Sequence, residues 1–522
     1  MLVPTPSSPT PAIDCHDQSE IDANQPHPNK KKIFVFCDGT GNEFADSHDS
    51  EEANSNVVKL YTALRITDKQ IAYYHPGVGT MGDPAIRQAI PRYWSKVKGL
   101  AFGAGFRANV LDAYHYLMEV YNDGDDIYLF GFSRGAYTAR ALAGMLHGYG
   151  LLCRGNEGHL PYAWNMFHDA LQGKREMLKK PPRARGGVTS HSIEHNFAFA
   201  QTYSRRVKIR FMGVWDTVSS VGWIYEPVRL LSMAQNPIVQ VGRHAVSIDE
   251  RRAFYRDNLW GPPVPITHPE WPEELRAEGI QQDIAQVWFP GAHSDVGGSY
   301  PQWQTAPANE ALRWMIGELQ NHGAEFCKER VEMVLGTPSG KYSADRIFTP
   351  PPKEDHSIHD SLKGVWWVLQ FFPQQHYDKE DEKIQWRVPY GRARTIPKGA
   401  IIHGSAVRRL DATVKGEQPY RPRNLKRDQC HPLGSPTADT TANLSGCFVY
   451  DPRGAASVSR DSNGLRILKL ALGWITFAAF WLGIAAVAWC ALTAFVLIAL
   501  LGLKLVTCTP GFRCLFQWVA RL

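Results

Sequence analysis

The sequence predicts an α/β fold: a mostly parallel sheet flanked by helices, with lid-like insertions and a C-terminal transmembrane segment. Three observations carry this. Short apolar runs alternate with segments of helical periodicity from Lys32 to Leu319. One run, Ile127 to Phe132, feeds straight through Gly131-Phe132-Ser133-Arg134-Gly135 into an alanine-rich segment. Leu470 to Leu503 holds no Asp, Glu, Lys or Arg, whereas a bilayer span takes about 20 residues.

The elements follow in order. Residues 1–30 are rich in Pro, Ser and Thr, lack an apolar h-region, and read as a disordered leader. Lys32 to Cys37 reads as the first core strand, running into the turn-rich Asp38-Gly39-Thr40-Gly41-Asn42. Ser55 to Leu64 places Val57, Leu60, Tyr61 and Leu64 on one helical face, and Ala72 to His75 suits a strand. Phe106 to Tyr121 is helical by spacing, and Asn122-Asp123-Gly124 ends it. Ile127 to Phe132 suits a strand buried on both faces. The helix after it covers Ala136 to Leu146, with Gly148 and Gly150 as a stop. Further strands are expected at Val207–Trp215 and Ala285–Pro290, and a helix at Asn309–Leu319.

The less regular stretches divide the rest of the chain. A catalytic domain is expected over 31–410, with insertions at about 154–206 and 337–400, the first a lid with a helix near Tyr162 to Lys174. The aromatic run Val365 to Pro373 reads first as core, with an acyl pocket or a bilayer interface as the alternatives. Residues 411–464 read as a polar linker, 465–505 as a membrane anchor and 506–522 as a short tail. One tilted span or a hairpin both fit the anchor, because basic residues flank both its ends.

Composition narrows the partners. The formal net charge is only +6, and no basic-aromatic module or zinc-finger spacing occurs, so no nucleic acid is expected. Nine cysteines without a C-x-x-C pair argue against a disulfide framework and for a reducing compartment. Cys37 and Cys153 read as small core hydrophobes. The catalytic domain is expected in the cytosol, tethered to a membrane. No cofactor is expected.

The chemistry gathers at strand ends. G-F-S-R-G fits the nucleophile elbow, where a serine sits on a strained strand-to-helix turn and glycines remove clashing side chains. Asp216, after the Val207–Trp215 strand, stands where the acid of a catalytic triad belongs. His293 follows another strand, within Gly291-Ala292-His293-Ser294-Asp295. The order Ser133, Asp216, His293 matches the α/β-hydrolase arrangement. His403 is the rival base among His244, His268, His356, His359 and His403. The loop at Gly39 and Thr40 offers backbone N–H groups to an oxyanion, beside that of Arg134. Asp38 alternatively holds a cation or a hydrogen-bond network, or is a plain turn former, and Asp295 either orients its neighbours or binds a cation.

Five ordered segments carry a resemblance: Phe36–Asn42, Gly77–Thr80, Gly131–Ala136, Gly213–Val218 and Gly291–Gly298. Over roughly residues 32–410 the chain resembles the α/β-hydrolase family that includes the class-1 (Tle1-like) phospholipase effectors of bacterial type VI secretion. The resemblance implies an α/β-hydrolase-like fold and a serine hydrolase of phospholipase A type, acting on a membrane lipid or another acyl ester. By motif, Ser133 is the nucleophile, Asp216 the acid and His293 the base. Two other readings stand beside it: a metal-dependent phosphoesterase using Asp38, Asp216, Asp295 and His293, and a membrane-tethered scaffold without catalysis.

Overall fold

The computed structural model describes residues 30–39, 53–77, 102–179, 198–218, 236–261, 282–301, 304–335, 358–378, 383–412, 420–433, 442, 444–452 and 468–483. The leader up to residue 29, Thr40, Gly41, Asn42, His268, His356 and the tail 506–522 lie outside them, as do residues 180–197 of the first insertion and 337–357 and 379–382 of the second.

Alternation of residue types builds the first layers. In β1 (Lys32–Cys37) the side chains take opposite faces in turn. Ile33 and Val35 join a core shared with Val110, Leu117 and Leu142. Phe34 and Phe36 join the other core with Leu60, Leu312 and Met315. Leu60 belongs to helix α1 (Asn56–Ala63), and Val110 and Leu117 to α2 (Phe102–Val120); the two helices flank β2 (Gln70–His75) in sequence. β3 (Asp126–Phe132) pairs parallel with β1. Its aromatics continue the Phe face, with Phe34 stacked on Tyr128 at 4.4 Å and Phe36 on Phe130 at 4.9 Å. α3 (Arg134–Tyr149) follows β3. A two-strand pair, β4 (Leu151–Leu152) with β5 (Ser204–Arg205), encloses α4 (Leu160–Lys179).

The sheet then grows away from β2. β6 (Ile209–Trp215), β7 (Val239–Ser247) and β8 (Asp283–Phe289) add in parallel, in the order β2-β1-β3-β6-β7-β8. β1 is thus a switch point, with the chain leaving it to β2 on one side and β3 on the other. Ligands of open α/β sheets bind beside the carboxyl ends of strands at such points. After β8 come α5 (His293–Gly297), α6 (Ala306–Asn321), α7 (Lys328–Leu335) and α8 (Val365–Leu369). A hairpin follows, β9 (Gln374–Asp378) with β10 (Lys383–Arg387). β11 (Ile401–Ile402) adds parallel to β8 before α9 (Gly404–Asp411). β12 (Cys430–Pro432) and β13 (Phe448–Tyr450) close that edge antiparallel.

Several sequence expectations are corrected. The sheet does not end by residue 410: β12 and β13 belong to it, and Leu425, Cys430 and Tyr450 share a core with Trp288 and Ile402. The polar linker therefore begins no earlier than about residue 452, because three-residue strands are too short to show a period. β7 was hidden because Arg243 and His244 interrupt its apolar run. Arg243 is fully buried and is paired with Glu318 at 2.5 Å and Asp283 at 2.7 Å. The first insertion is anchored in the core through Leu160, Ala163, Trp164 and Phe167, which is not the mark of a free lid. The aromatic run is not simply core: Phe372 is buried, but Trp367, Val368 and Phe371 are exposed. Cys37 is buried and free, whereas Cys153 is disulfide-bonded.

Residues 468–483 are helical. Among the described residues no helix is long and apolar enough to cross a membrane. The remainder of the expected anchor, from Ile484 on, lies outside the described residues.

Candidate active site

The site begins with a strained turn. Ser133 has φ 58° and ψ −121° between β3 and α3, a conformation that costs a non-glycine residue of order 1–3 kcal/mol. The turn is pressed against its neighbours. A Cβ on Gly135 would stand 2.0 Å from the Cys37 carbonyl oxygen, and one on Gly131 would meet the Ala136 backbone at 2.5 Å. Only glycine lets the start of α3 come this close to the end of β1. The Ser133 N–H donates to the Trp215 carbonyl at 3.1 Å, which ties the turn to β6.

Asp216 follows β6, also with positive φ, at 37°. Its carboxylate is buried and fully engaged. His293 Nδ1 lies 2.5 Å from Oδ2, the Ser247 N–H donates to Oδ1 at 2.9 Å, and Arg394 donates through Nη1 to Oδ1 at 2.5 Å and through Nη2 to Oδ2 at 3.1 Å. Burial alone would raise this carboxyl's pKa. The Arg394 guanidinium and the His293 bond outweigh it and hold the group well below the usual carboxylate range.

His293 opens α5, beyond the end of β8. Its ring lies between Phe132, stacked at 4.6 Å, and Tyr255, edge-on at 4.7 Å. Its backbone N–H donates to Glu250 Oε2 at 3.2 Å. Burial lowers its pKa below the ordinary 6.5, against the opposing pull of Asp216, so the ring is neutral at pH 7. With Nδ1–H committed to Asp216, Nε2 carries the lone pair. Nε2 is buried without a hydrogen-bond partner among the described residues, so no bond to Ser133 Oγ is made in this state. Such contacts often form only when substrate binds.

The other expected residues have different settings. Asp38 is a hub: Ser55 Oγ and Tyr74 OH donate to its Oδ2 at 2.7 and 2.9 Å, and the Gly39 N–H to its Oδ1 at 2.6 Å. The Gly39 N–H is therefore spent on Asp38 and does not face an oxyanion here. Thr40 lies outside the described residues. Arg134 opens α3, and burial pushes its guanidinium down to about 10, so it stays charged at pH 7. Asp295 accepts from the Ala292 N–H at 2.9 Å and pairs with His359 Nδ1 at 2.6 Å. His403 is remote in role. It caps α9, accepting from the Ser405 N–H at 3.3 Å, and stacks on Phe289 at 4.4 Å. His244 Nε2 accepts the Thr217 N–H at 3.2 Å and so fixes the backbone next to Asp216. Of Asp38, Asp216, Asp295 and His293, Asp216 and His293 meet, but no group of three or more side chains that could hold a metal occurs among the described residues.

Sequence reasoning missed Arg394 and Glu250. Glu250 lies just past β7, a strand-end position like that of Asp216, and would have been visible had that strand been recognised. Burial would raise the Glu250 carboxyl, but Arg252, bonded at 3.0 and 2.8 Å, lowers it. Arg394 carries no local signal, since it sits in an irregular stretch between β10 and β11.

The molecule is thus a mostly parallel α/β protein with a serine on a strained elbow after β3 and a buried Asp–His pair at the ends of β6 and β8, two strands of the same sheet. The model of the family described as "T6SS, Phospholipase effector Tle1-like, catalytic domain" matches residues 31–318, and the chain belongs to that family. The chain is similar to the uncharacterized protein YEL023C of Saccharomyces cerevisiae, with 26% identity over 573 residues, 76% of this chain and 81% of that protein. Among solved structures it is similar to an uncharacterized protein from Pseudomonas aeruginosa, with 17% identity and a TM-score of 0.35 over 66% of this chain and 53% of that one. It is also similar to the Tle1 effector bound to the VgrG spike from the Type 6 secretion system, with 17% identity and a TM-score of 0.25 over 56% of each chain. The chain spans about half the length of both these structures. The family description points to a phospholipase-type hydrolase.

Proposed function

We propose that the protein is a membrane-anchored serine hydrolase that cleaves carboxylic esters, of phospholipase A type, through Ser133, His293 and Asp216. The observation that carries this is the buried 2.5 Å Asp216–His293 pair, with an unpartnered Nε2 and its ring stacked on Phe132, the residue before the serine on the strained elbow.

In this reading His293 Nε2 takes the Ser133 hydroxyl proton as Oγ bonds to the ester carbonyl carbon. Asp216 holds the tautomer and stabilises the imidazolium. The tetrahedral oxyanion collapses, the ester C–O bond breaks, and the leaving alcohol takes the proton from Nε2. Water then attacks the acyl-serine, giving its proton to His293, and the fatty acid leaves as Ser133 is reprotonated. The Arg134 N–H, at the first position of α3, is one oxyanion donor. Loss of one such donor costs about 3 kcal/mol of barrier. Arg394 is a positioning group that keeps Asp216 ionised and aimed. The uncharged run Leu470–Leu503 supplies the membrane attachment.

The metal reading finds no support in the carboxylates, which are each committed to separate partners. The scaffold reading leaves the strain at Ser133 unexplained. The test is release of fatty acid from phospholipid by the full chain, wild type beside Ser133→Ala. Release that is lost in the variant is expected. Equal release by a folded Ser133→Ala protein would overturn the serine mechanism.

A further inference from the structure

Eleven large apolar side chains are exposed among the described residues, and nine of them fall within 367–371 and 468–482. These stretches are distant in sequence but lie against each other. Phe372 is buried and packs on Phe477 at 5.4 Å and on Phe480 at 5.2 Å. Trp386 meets Trp474 at 5.4 Å. A Cβ on Gly473 would stand 2.6 Å from Val388 Cγ2, so that glycine lets the 468–483 helix seat closely on the domain. The outer side of the helix presents Leu472, Ile475 and Leu482, the last two 64% and 71% exposed. Beside it stand Trp367, 41% exposed, Val368 and Phe371. The patch adjoins the site, because Trp366 is edge-on to Tyr255 at 5.6 Å and Tyr255 is edge-on to His293.

We propose that Trp367, Val368, Phe371, Leu472, Ile475 and Leu482 form a face that rests in the headgroup-to-acyl boundary of a bilayer, turning the site mouth at Trp366 toward lipid. Soluble proteins seldom expose so continuous an apolar patch without a partner. Two features select a bilayer as the occupant over a second copy of the chain. The residues that follow the helix in sequence, Ile484–Leu503, are uncharged and match in number what one span takes, about 20 residues. Trp367, Trp474 and Trp481 are all exposed here, and tryptophan favours the membrane–water boundary. The uncharged run is thus divided: its first part is clamped to the domain by Phe372 and Val388, and the following residues have the composition and length of a span. The link between docking and catalysis rests on the hydrolase reading, whereas the docking itself does not.

The experiment uses the full chain with Val368→Cys carrying an environment-sensitive fluorophore, reconstituted with phosphatidylcholine. The wild-type chain, carried through the same labelling, gives the background. Brominated acyl chains should quench the fluorophore, and Val368→Glu with Phe371→Glu should cut hydrolysis of vesicle phospholipid about tenfold. Cleavage of a short soluble ester should stay within about twofold, since the patch lies outside the reacting groups. A fluorophore that stays in water, or equal losses on both substrates, would overturn the proposal. So would fluorophore protection that grows with protein concentration in lipid-free detergent, the mark of a second copy. If the wild type cleaves neither substrate, the hydrolase reading fails, and the quenching still decides the docking.

Discussion

The segment that matches the family, residues 31–318, and the segment beyond it serve the same site by different means. The first supplies the proposed reacting groups from the ends of parallel strands: Ser133 after β3, Asp216 after β6, His293 after β8. Their positions follow from the order of the strands in the sheet. The second segment supplies side chains from irregular chain and one short helix: Arg394 onto Asp216, His359 onto Asp295, Ser361 onto Glu250 and, from α8, Trp366 onto Tyr255. None of these has a place in a strand-end pattern. The sheet creates the site, and the later chain sets its charge and its surroundings.

Substitutions can break that comparison, and the largest effect belongs to the first segment. Ser133→Ala should lower kcat by about 10⁶-fold, as loss of a triad nucleophile does elsewhere. The hydrolysis rate on a short ester, beside an unchanged thermal unfolding curve, reads this. Asp216→Asn should cost about 10⁴-fold, because the neutral side chain no longer selects the tautomer with a free Nε2.

The second segment should give a smaller effect with a different signature. Arg394→Gln leaves Asp216 buried with one charged partner fewer. Stability should fall by about 3 kcal/mol, as for other broken buried pairs, and turnover should fall by far less than in Ser133→Ala. The pH profile separates positioning from mere structure. In the wild type, burial holds His293 below 6.5, so kcat/KM should rise through an apparent pKa under 6.5 and then stay flat toward pH 8. Removing the Arg394 charge leaves Asp216 less neutralised, so it favours the imidazolium more strongly. The acid limb should then move to higher pH, and Arg394→Lys should largely restore its position. A limb that does not move would reduce Arg394 to a packing residue.

The smallest effect is expected at His403. His403→Ala removes a helix cap and a stacked ring, costing about 2 kcal/mol of stability. Its kcat should stay within about twofold, as the ring does not touch the reacting groups. A large loss of kcat in a folded protein would mean that the base had been misassigned.

How much of this the sequence revealed follows the same division. Strands β1, β3, β6 and β8 were legible because apolar runs end in Gly, Asp or Ser turns, and α1, α3 and α6 because their buried faces repeat at helical spacing. The elbow was legible because its glycines are demanded by contacts of 2.0 and 2.5 Å. β7 was not, since a buried Arg243 bridging Glu318 and Asp283 reads as a polar surface residue until its partners are seen. β11, β12 and β13 were too short to carry a period. Arg394 was invisible because its role comes from a contact 178 positions away in sequence. Gly39 was assigned an oxyanion role from its loop, but its N–H turns to the adjacent Asp38 carboxylate. The aromatic run around Trp367 was ambiguous for a physical reason: its residues divide between a buried anchor, Phe372, and an exposed rim.

The most direct test of the Ser133–His293–Asp216 unit is to react the full chain with a fluorophosphonate and locate the adduct by mass spectrometry, in wild type and in Asp216→Asn. The account predicts a single phosphonyl adduct on Ser133, formed far more slowly in Asp216→Asn. An adduct on another residue, or labelling of Ser133 at the same rate in both proteins, would contradict it.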